Sequence, residues 1–274
     1  MNRRSYHYWL IGLLTTLVLI SAPAAAQTNQ GIDPDAIIDQ ILRVDSIQRA
    51  QLQDVVMEAE LLEGKMQDNG QLEAKKRFVK DVYIKYFDDT AWYYADYREY
   101  YEDGKLKSDD ELRSEAKDRR KKKEERKGKD ISYPILSPFY AEHRADYDIT
   151  YEGVTDRLIE GYACHQFRVE SKIEDDDHID GDYYFEAESF HLVRCDFTPA
   201  KLIRKTMFKL DRLDMTLLYE PFNSDIWLPA RFDIVGKGKA ALLFGVNFAG
   251  TEFYRNPKIN TDLADSLFQQ AVEE

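Results

Sequence analysis

Apolar and polar positions along this chain fall into three regimes. In the first, Arg3 and Arg4 precede an apolar run from Trp9 to Ile20, and the small residues Ala24, Ala25 and Ala26 follow. That is the layout of a cleavable export signal over residues 1–26, with Gln27 as the first mature residue. The run falls short of the ~20 apolar residues a helix needs to cross a bilayer, so removal is expected rather than anchoring. No Cys follows the Ala run, which argues against a lipid-anchored start. The second regime is helical: Asp33 and Pro34 suit an N-cap and first turn, and Ile37, Ile38, Ile41, Leu42 and Val44 recur at three- and four-residue spacings.

The third regime is period-two alternation, the mark of a half-buried strand. Between Leu52 and Met66, Val55, Met57, Ala59 and Leu61 alternate with Asp54, Glu58 and Glu60. Arg77–Phe87 and Ala91–Tyr101 read as two more strands, joined at Asp88 and Asp89. Others are expected over Tyr147–Gly153, Leu158–Ser171, Asp182–Ala187, Phe190–Phe197, Met207–Glu220, Leu228–Val235 and Ala240–Tyr254. Glu188-Ser189 and Gly236-Lys237-Gly238 are expected as turns and Asn256-Pro257 as the end of the last strand, after which Thr261 would cap a short helix through Leu263, Leu267 and Phe268. Consecutive strands with short connections make an antiparallel meander. The expected fold class is therefore mainly antiparallel β with covering helices, in a single domain over 27–274.

Two stretches interrupt the pattern. From Lys107 to Lys129 the chain is almost wholly charged and includes Arg119-Arg120-Lys121-Lys122-Lys123. It reads as a solvated helix or mobile insertion that is not core; the sharper alternative is an electrostatic docking site for an acidic envelope protein or an anionic headgroup. Ser132–His143 reads as a loop with one helical turn, and its apolar residues Ile135, Leu136, Phe139 and Tyr140 must pack somewhere.

Charge and candidate chemistry narrow the function classes. The formal net charge of −13 repels phosphate backbones, so nucleic acid is excluded as a partner. The 18 Tyr and 14 Phe suit a large sheet with half-wet surfaces. An exported compartment would let Cys164 and Cys195 pair, but a meander would put them on its outer strands, about 10 Å apart, which favours two separate buried thiols. No phosphate loop, nucleophile elbow, zinc helix or Cys-x-x-Cys pair occurs. His143, His165 and His191 could serve chemistry only if the fold brought them to carboxylates. The acidic run Glu174–Asp182 fails as a calcium loop, because His178 falls at a ligand position and Ala187 where a bidentate Glu is needed. No catalytic residue, metal ligand or cofactor is assigned, and the chain is not expected to be an enzyme.

The last strand has the cleanest face: Leu242, Phe244, Val246 and Phe248 alternate with Leu243, Gly245, Asn247 and Ala249. These four are the candidate ligand-binding residues; the plainer reading is that they fill a core under the helices.

The layout resembles the LolA/LolB-like superfamily of periplasmic outer-membrane lipoprotein-sorting carriers, and three stretches add to it. They are Tyr151-Glu152-Gly153, Gly161-Tyr162-Ala163-Cys164-His165-Gln166-Phe167-Arg168-Val169 and Trp227-Leu228-Pro229-Ala230-Arg231-Phe232-Asp233-Ile234. The resemblance is best over Tyr147–Tyr254. It implies a curved, incompletely closed β-barrel holding helices against its concave face. It also implies a noncatalytic periplasmic carrier or chaperone that binds lipoprotein acyl chains, lipid or another hydrophobic ligand; separately, a monomer is expected. The alternative is an envelope sensor or protein-interaction module on the same fold. The charged segment at 107–129 departs from the family's usual compactness.

Overall fold

Helix α1, Pro34–Gln51, begins where the sequence places it. Asp33 is extended at the N-cap, and its Oδ1 accepts from the Asp35 amide at 3.1 Å. The computed structural model describes residues 33–87, 91–124, 135–175, 177–202, 204–205, 208–240 and 244–270, within the compact unit Asp33–Glu274. The expected export signal, the Asp88-Asp89 turn and Leu242 lie outside the described residues.

After α1 the chain forms β1 (Asp54–Met66), β2 (Leu72–Tyr86), β3 (Ala91–Glu102), β4 (Lys105–Leu106) and helix α2 (Asp109–Glu124). Two single turns of 3₁₀ helix, Ser137–Phe139 and Arg144–Asp146, lead into β5 (Tyr147–Val154), β6 (Cys164–Ser171), β7 (Ile179–Glu186), β8 (Leu192–Pro199) and β9 (Arg204–Lys205). β10 (Phe208–Pro221), β11 (Trp227–Ala240), β12 (Phe244–Ile259) and a short α3 (Ser266–Gln270) complete it. All twelve strands join one antiparallel sheet in the order β4-β3-β2-β1-β12-β11-β10-β8-β7-β6-β5, with β9 paired to β10. The end strands β4 and β5 do not pair with each other, so the sheet stays open, and the mainly antiparallel, incompletely closed class expected from the sequence is present.

The sheet curls around α1. Ile37, Ile38 and Ile41 share a buried cluster with Phe167, Tyr183, Phe185 and Cys195 from β6 to β8. Leu52, which caps the same helix, packs with Val55, Met57, Val82 and Leu228 from β1, β2 and β11. Tyr219 on β10 is pushed well above its ordinary pKa by burial first and by its neighbour Tyr86 on β2 among the lesser causes. β11, β12 and β1 lie between those two strands. On a flat sheet four strand spacings would put them roughly 19 Å apart; curvature brings them together. The apolar loop finds its place in the same core: Leu136 and Phe139 are buried, and the Phe139 ring meets Phe167, Tyr183 and Phe185 edge-on at 5.7, 5.1 and 5.5 Å.

Four local expectations are corrected. Gly236-Lys237-Gly238 is not a turn, because β11 runs through both glycines. Each accommodates a close approach instead: a Cβ on Gly236 would lie 2.1 Å from Phe248 Cζ, and one on Gly238 2.2 Å from the Lys209 carbonyl oxygen. Asn256-Pro257 does not end the last strand; β12 continues to Ile259, with Asn256 at φ 51 and a register shift between Val56 and Glu58 opposite it. Leu158–Ser171 is not one strand: Ile159 and Tyr162 form an isolated bridge around Glu160 and Gly161, both at positive φ, before β6 begins. Thr261 caps no helix; its amide and hydroxyl both donate to Asp54. Cys164 and Cys195 are free and buried, on β6 and β8 with β7 between them.

Candidate functional site

The face of β12 that looks onto α1 is fixed by two residues. Tyr254 packs against the cluster around Leu52, and Glu252 reaches Lys80 on β2. Side chains alternate along a strand, so Phe244, Val246 and Phe248 share that concave face. The ring of Phe248 lies over Gly236, its cross-strand partner on β11, and Val246 and Phe248 are half-buried. Phe244 is 69% exposed, so the plainer reading of these residues as simple core filling does not hold for it.

Cross-strand register extends the same face sideways. Leu61 on β1 and Phe232 on β11 flank Glu252, while Ile234, Met215 and Leu217 follow on β11 and β10. All five are half-buried, and among the described residues none of them joins the clusters that α1 anchors. Sequence alternation on β12 found one file of this apolar surface; the neighbouring files depend on register, which no local signal carries.

A polar group sits beside it. Lys80 is only 4% exposed, and its Nζ lies 2.8 Å from Glu252 Oε1, 3.3 Å from the Tyr93 hydroxyl and 5.5 Å over the Tyr97 ring. The Lys80–Glu252 pair is close but off-axis, so Glu252 Oε1 has no partner of hydrogen-bond geometry. Burial pulls the Lys80 pKa down, yet Tyr93 and Glu252 around it outweigh that and hold it above the ordinary value, so the lysine stays charged. Burial pushes Tyr86 and Tyr93 up to about 12. Tyr254 is raised by burial and then by the Glu252 charge. Tyr86, Tyr93 and Tyr254 are half-buried as residues, and their hydroxyls are desolvated.

Helix α2 covers another part of the sheet. Ala116 is buried, and the Arg119 guanidinium stacks 3.9 Å over the Phe78 ring while forking onto Glu63 at 2.9 and 2.5 Å. Lys76 reaches Glu115 at 3.2 Å. The helical alternative expected for this insertion is what α2 forms, mostly exposed but with Ala116 buried and its charges partly matched by the protein's own carboxylates; residues 125–129 lie outside the described residues.

Among the described residues, His165, His178 and His191 each have a local partner. His165 meets the Tyr151 hydroxyl at 2.9 Å and stacks on Phe190, and His191 stacks on Trp227. Burial lowers both pKa values and keeps the rings neutral. His178 belongs to the acidic hairpin tip, where its Nδ1 lies 2.7 Å from Asp175. Among the described residues no group of three or more His, Cys, Asp or Glu could hold a metal ion, and no helix is long and apolar enough to cross a membrane. A charged depression of about 510 Å³ includes Arg168, Asp182, Asp196, Asp214 and Thr216. These positions alternate with the concave ones, and their charges are matched internally, as by Thr216 to Asp196 at 2.6 Å and Arg168 to Asp182 at 3.3 Å.

Fold and site together define an open antiparallel sheet wrapped around a helix, with an apolar concave face and a small buried polar group. No known family profile and no curated protein matches the chain. Solved structures do. A DUF1329 family protein from Desulfovibrio piger is 14% identical and superposes with a TM-score of 0.45, covering 87% of this chain and 98% of that one. A structure described as an outer membrane lipoprotein-sorting protein domain from Vibrio parahaemolyticus is 12% identical, with a TM-score of 0.39 over 86% of this chain and 98% of that one. A LolA superfamily protein from Nitrosomonas europaea is 12% identical, with a TM-score of 0.34 over 87% and 98%.

Proposed function

We propose that this chain is a noncatalytic periplasmic carrier that shelters lipoprotein acyl chains, lipid or another hydrophobic ligand against its concave face. One observation carries the reading: Val246, Phe248, Phe232, Ile234, Met215 and Leu217 line that face half-buried, beyond the part that α1 fills. Burying an acyl chain stabilises a complex by about 0.8 kcal/mol per CH₂. A carrier therefore needs apolar lining and no reacting group, and Phe244, Val246 and Phe248 supply part of it, with Leu242 continuing the same file in sequence. The test is lipid mass spectrometry on the mature protein purified from its native compartment. Stoichiometric lipid or acylated peptide supports the reading. A delipidated protein that neither copurifies with lipid nor binds acyl probes refutes it.

A further inference from the structure

We propose that the outer face of the sheet beside the start of β12 docks on an anionic lipid surface, through Arg204, Lys209, Arg212, Lys237 and Lys239 with Phe244 next to them. This goes beyond the carrier reading: it names a membrane surface as partner, and vesicle binding is measured without any cargo.

Register builds the patch. Gly236 and Gly238 lie on the concave face opposite Phe248 and Val246, so Lys237 and Lys239, which alternate with them, point outward, and both are exposed. Arg204 on β9, Lys209 on β10 and Lys239 on β11 form one lateral row, and Arg212 and Lys237 the next. Neighbouring strands are about 4.8 Å apart, so these cations share a surface only about two strand spacings wide.

The protein's own carboxylates do not match them. Lys209 reaches Asp211 at 2.6 Å and Arg212 reaches Asp214. Among the described residues Arg204, Lys237 and Lys239 have no ion-pair partner. Asp211 is held below the ordinary carboxylate range by Lys209 first, with Lys239 and Arg204 adding to it, so one carboxylate answers to three cations. The adjoining β1–β2 turn supplies no excess of acid, since Lys65 and Lys75 offset Asp68 and Glu73. Lys209 also stands directly opposite Lys239, and Arg212 directly opposite Lys237. Like charges directly opposite one another destabilise a sheet. Folding gives no reason for this arrangement, and an external anionic surface does.

Phe244 points to lipid rather than to a soluble polyanion. It pairs with Ala240, the residue after Lys239, and is 69% exposed. An aromatic ring beside a cluster of cations suits the boundary between headgroups and acyl chains. At Gly245, opposite Lys239, an added Cβ would meet nothing within 4 Å, so no side chain there holds a bilayer away. The chain's net charge of −13 opposes the approach only from a distance, because charges farther off than about 8 Å are screened at physiological ionic strength. Docked this way, the end of the concave face that carries Phe244 meets the membrane.

The test is cosedimentation of the full mature chain with two kinds of vesicle, phosphatidylcholine alone and phosphatidylcholine mixed with phosphatidylglycerol. At about 0.1 M salt the wild type is expected to favour the anionic vesicles by about tenfold or more, and to lose that preference at about 1 M salt, where the Debye length falls to about 3 Å. A basic side chain near an anionic surface contributes about fivefold in affinity, so Lys237→Glu combined with Lys239→Glu should weaken binding by about twentyfold or more. Both positions are exposed and Lys239→Glu removes a like-charge pair, so the urea midpoint of this variant should not fall. Lys117→Glu combined with Lys121→Glu on α2 should bind as the wild type does. Equal binding to both vesicles or to neither, a Lys237→Glu and Lys239→Glu chain that binds anionic vesicles as before, or loss of binding in the α2 variant overturns the docking surface. So does a wild type that ignores the vesicles and is retained on immobilised polyglutamate, which would make the partner an acidic protein.

Discussion

Asp54, the first residue of β1, is 2% exposed and holds the chain that leaves β12. Its Oδ1 accepts from the Thr261 amide and hydroxyl, both at 2.7 Å, and its Oδ2 accepts from the Leu263 amide at 3.2 Å. Hydrogen bonds to a charged group contribute about 1.5–3 kcal/mol each. Thr261 is exposed, so water replaces part of what is lost. Asp54→Ala is therefore expected to destabilise by about 2–4 kcal/mol, and Asp54→Asn, which keeps one acceptor oxygen but turns an NH₂ toward the Leu263 amide, by about 1–2 kcal/mol. Burial alone would raise the Asp54 pKa, but the hydrogen bonds from Thr261 and Leu263 outweigh it and the net shift is downward. A carboxyl with a lower pKa in the folded chain than in the unfolded one stabilises above the unfolded value of about 3.9 and loses that contribution as pH falls through the folded value. Urea unfolding followed by tryptophan fluorescence should thus show the largest gap between wild type and Asp54→Asn near pH 7, narrowing toward pH 3. An Asp54→Ala midpoint shift worth under about 0.5 kcal/mol, or a gap that does not narrow in acid, refutes this account.

Three further outcomes follow from buried contacts. Ile41→Ala, at a position 1% exposed in the main core, should destabilise by about 2–5 kcal/mol in the same urea assay. Arg119→Ala removes both the stack on Phe78 and the fork on Glu63, so α2 should become a faster target for limited proteolysis, with about 1–2 kcal/mol lost; an unchanged cleavage rate contradicts the docking of α2. Burial pushes the Cys164 thiol up to about 12 and raises Cys195 strongly. Neither should react with a thiol reagent at neutral pH until denaturant is added, when two equivalents should be consumed.

The features legible in the sequence are those set by neighbouring residues. Asp33 and Pro34 announce α1, and the alternation of Val55, Met57 and Ala59 announces β1, because caps and periodicity act within a few residues. Features set by register were not legible. Gly236 and Gly238 read as turn residues, yet the first lies beneath Phe248 and the second against the Lys209 backbone; the same absence of a Cβ serves a turn and a close cross-strand approach equally well. Thr261 read as a cap because its own neighbours look helical, while its actual acceptor is Asp54, at the other end of the chain.

Lys80 and Glu252 show where a usable signal was present. Each interrupts an apolar file at an inward position, Lys80 between Phe78 and Val82 and Glu252 between Gly250 and Tyr254. Taken singly, either could be a surface residue on a strand of the opposite phase. Once β1 is seated between β2 and β12 with Ala59 opposite both Lys80 and Tyr254, the two interruptions fall on diagonal neighbours of opposite charge. A buried charge needs a partner, so a lone charged residue at an inward strand position predicts another one facing it. The unpaired interruption is readable in the sequence, and its partner becomes identifiable when the register is known.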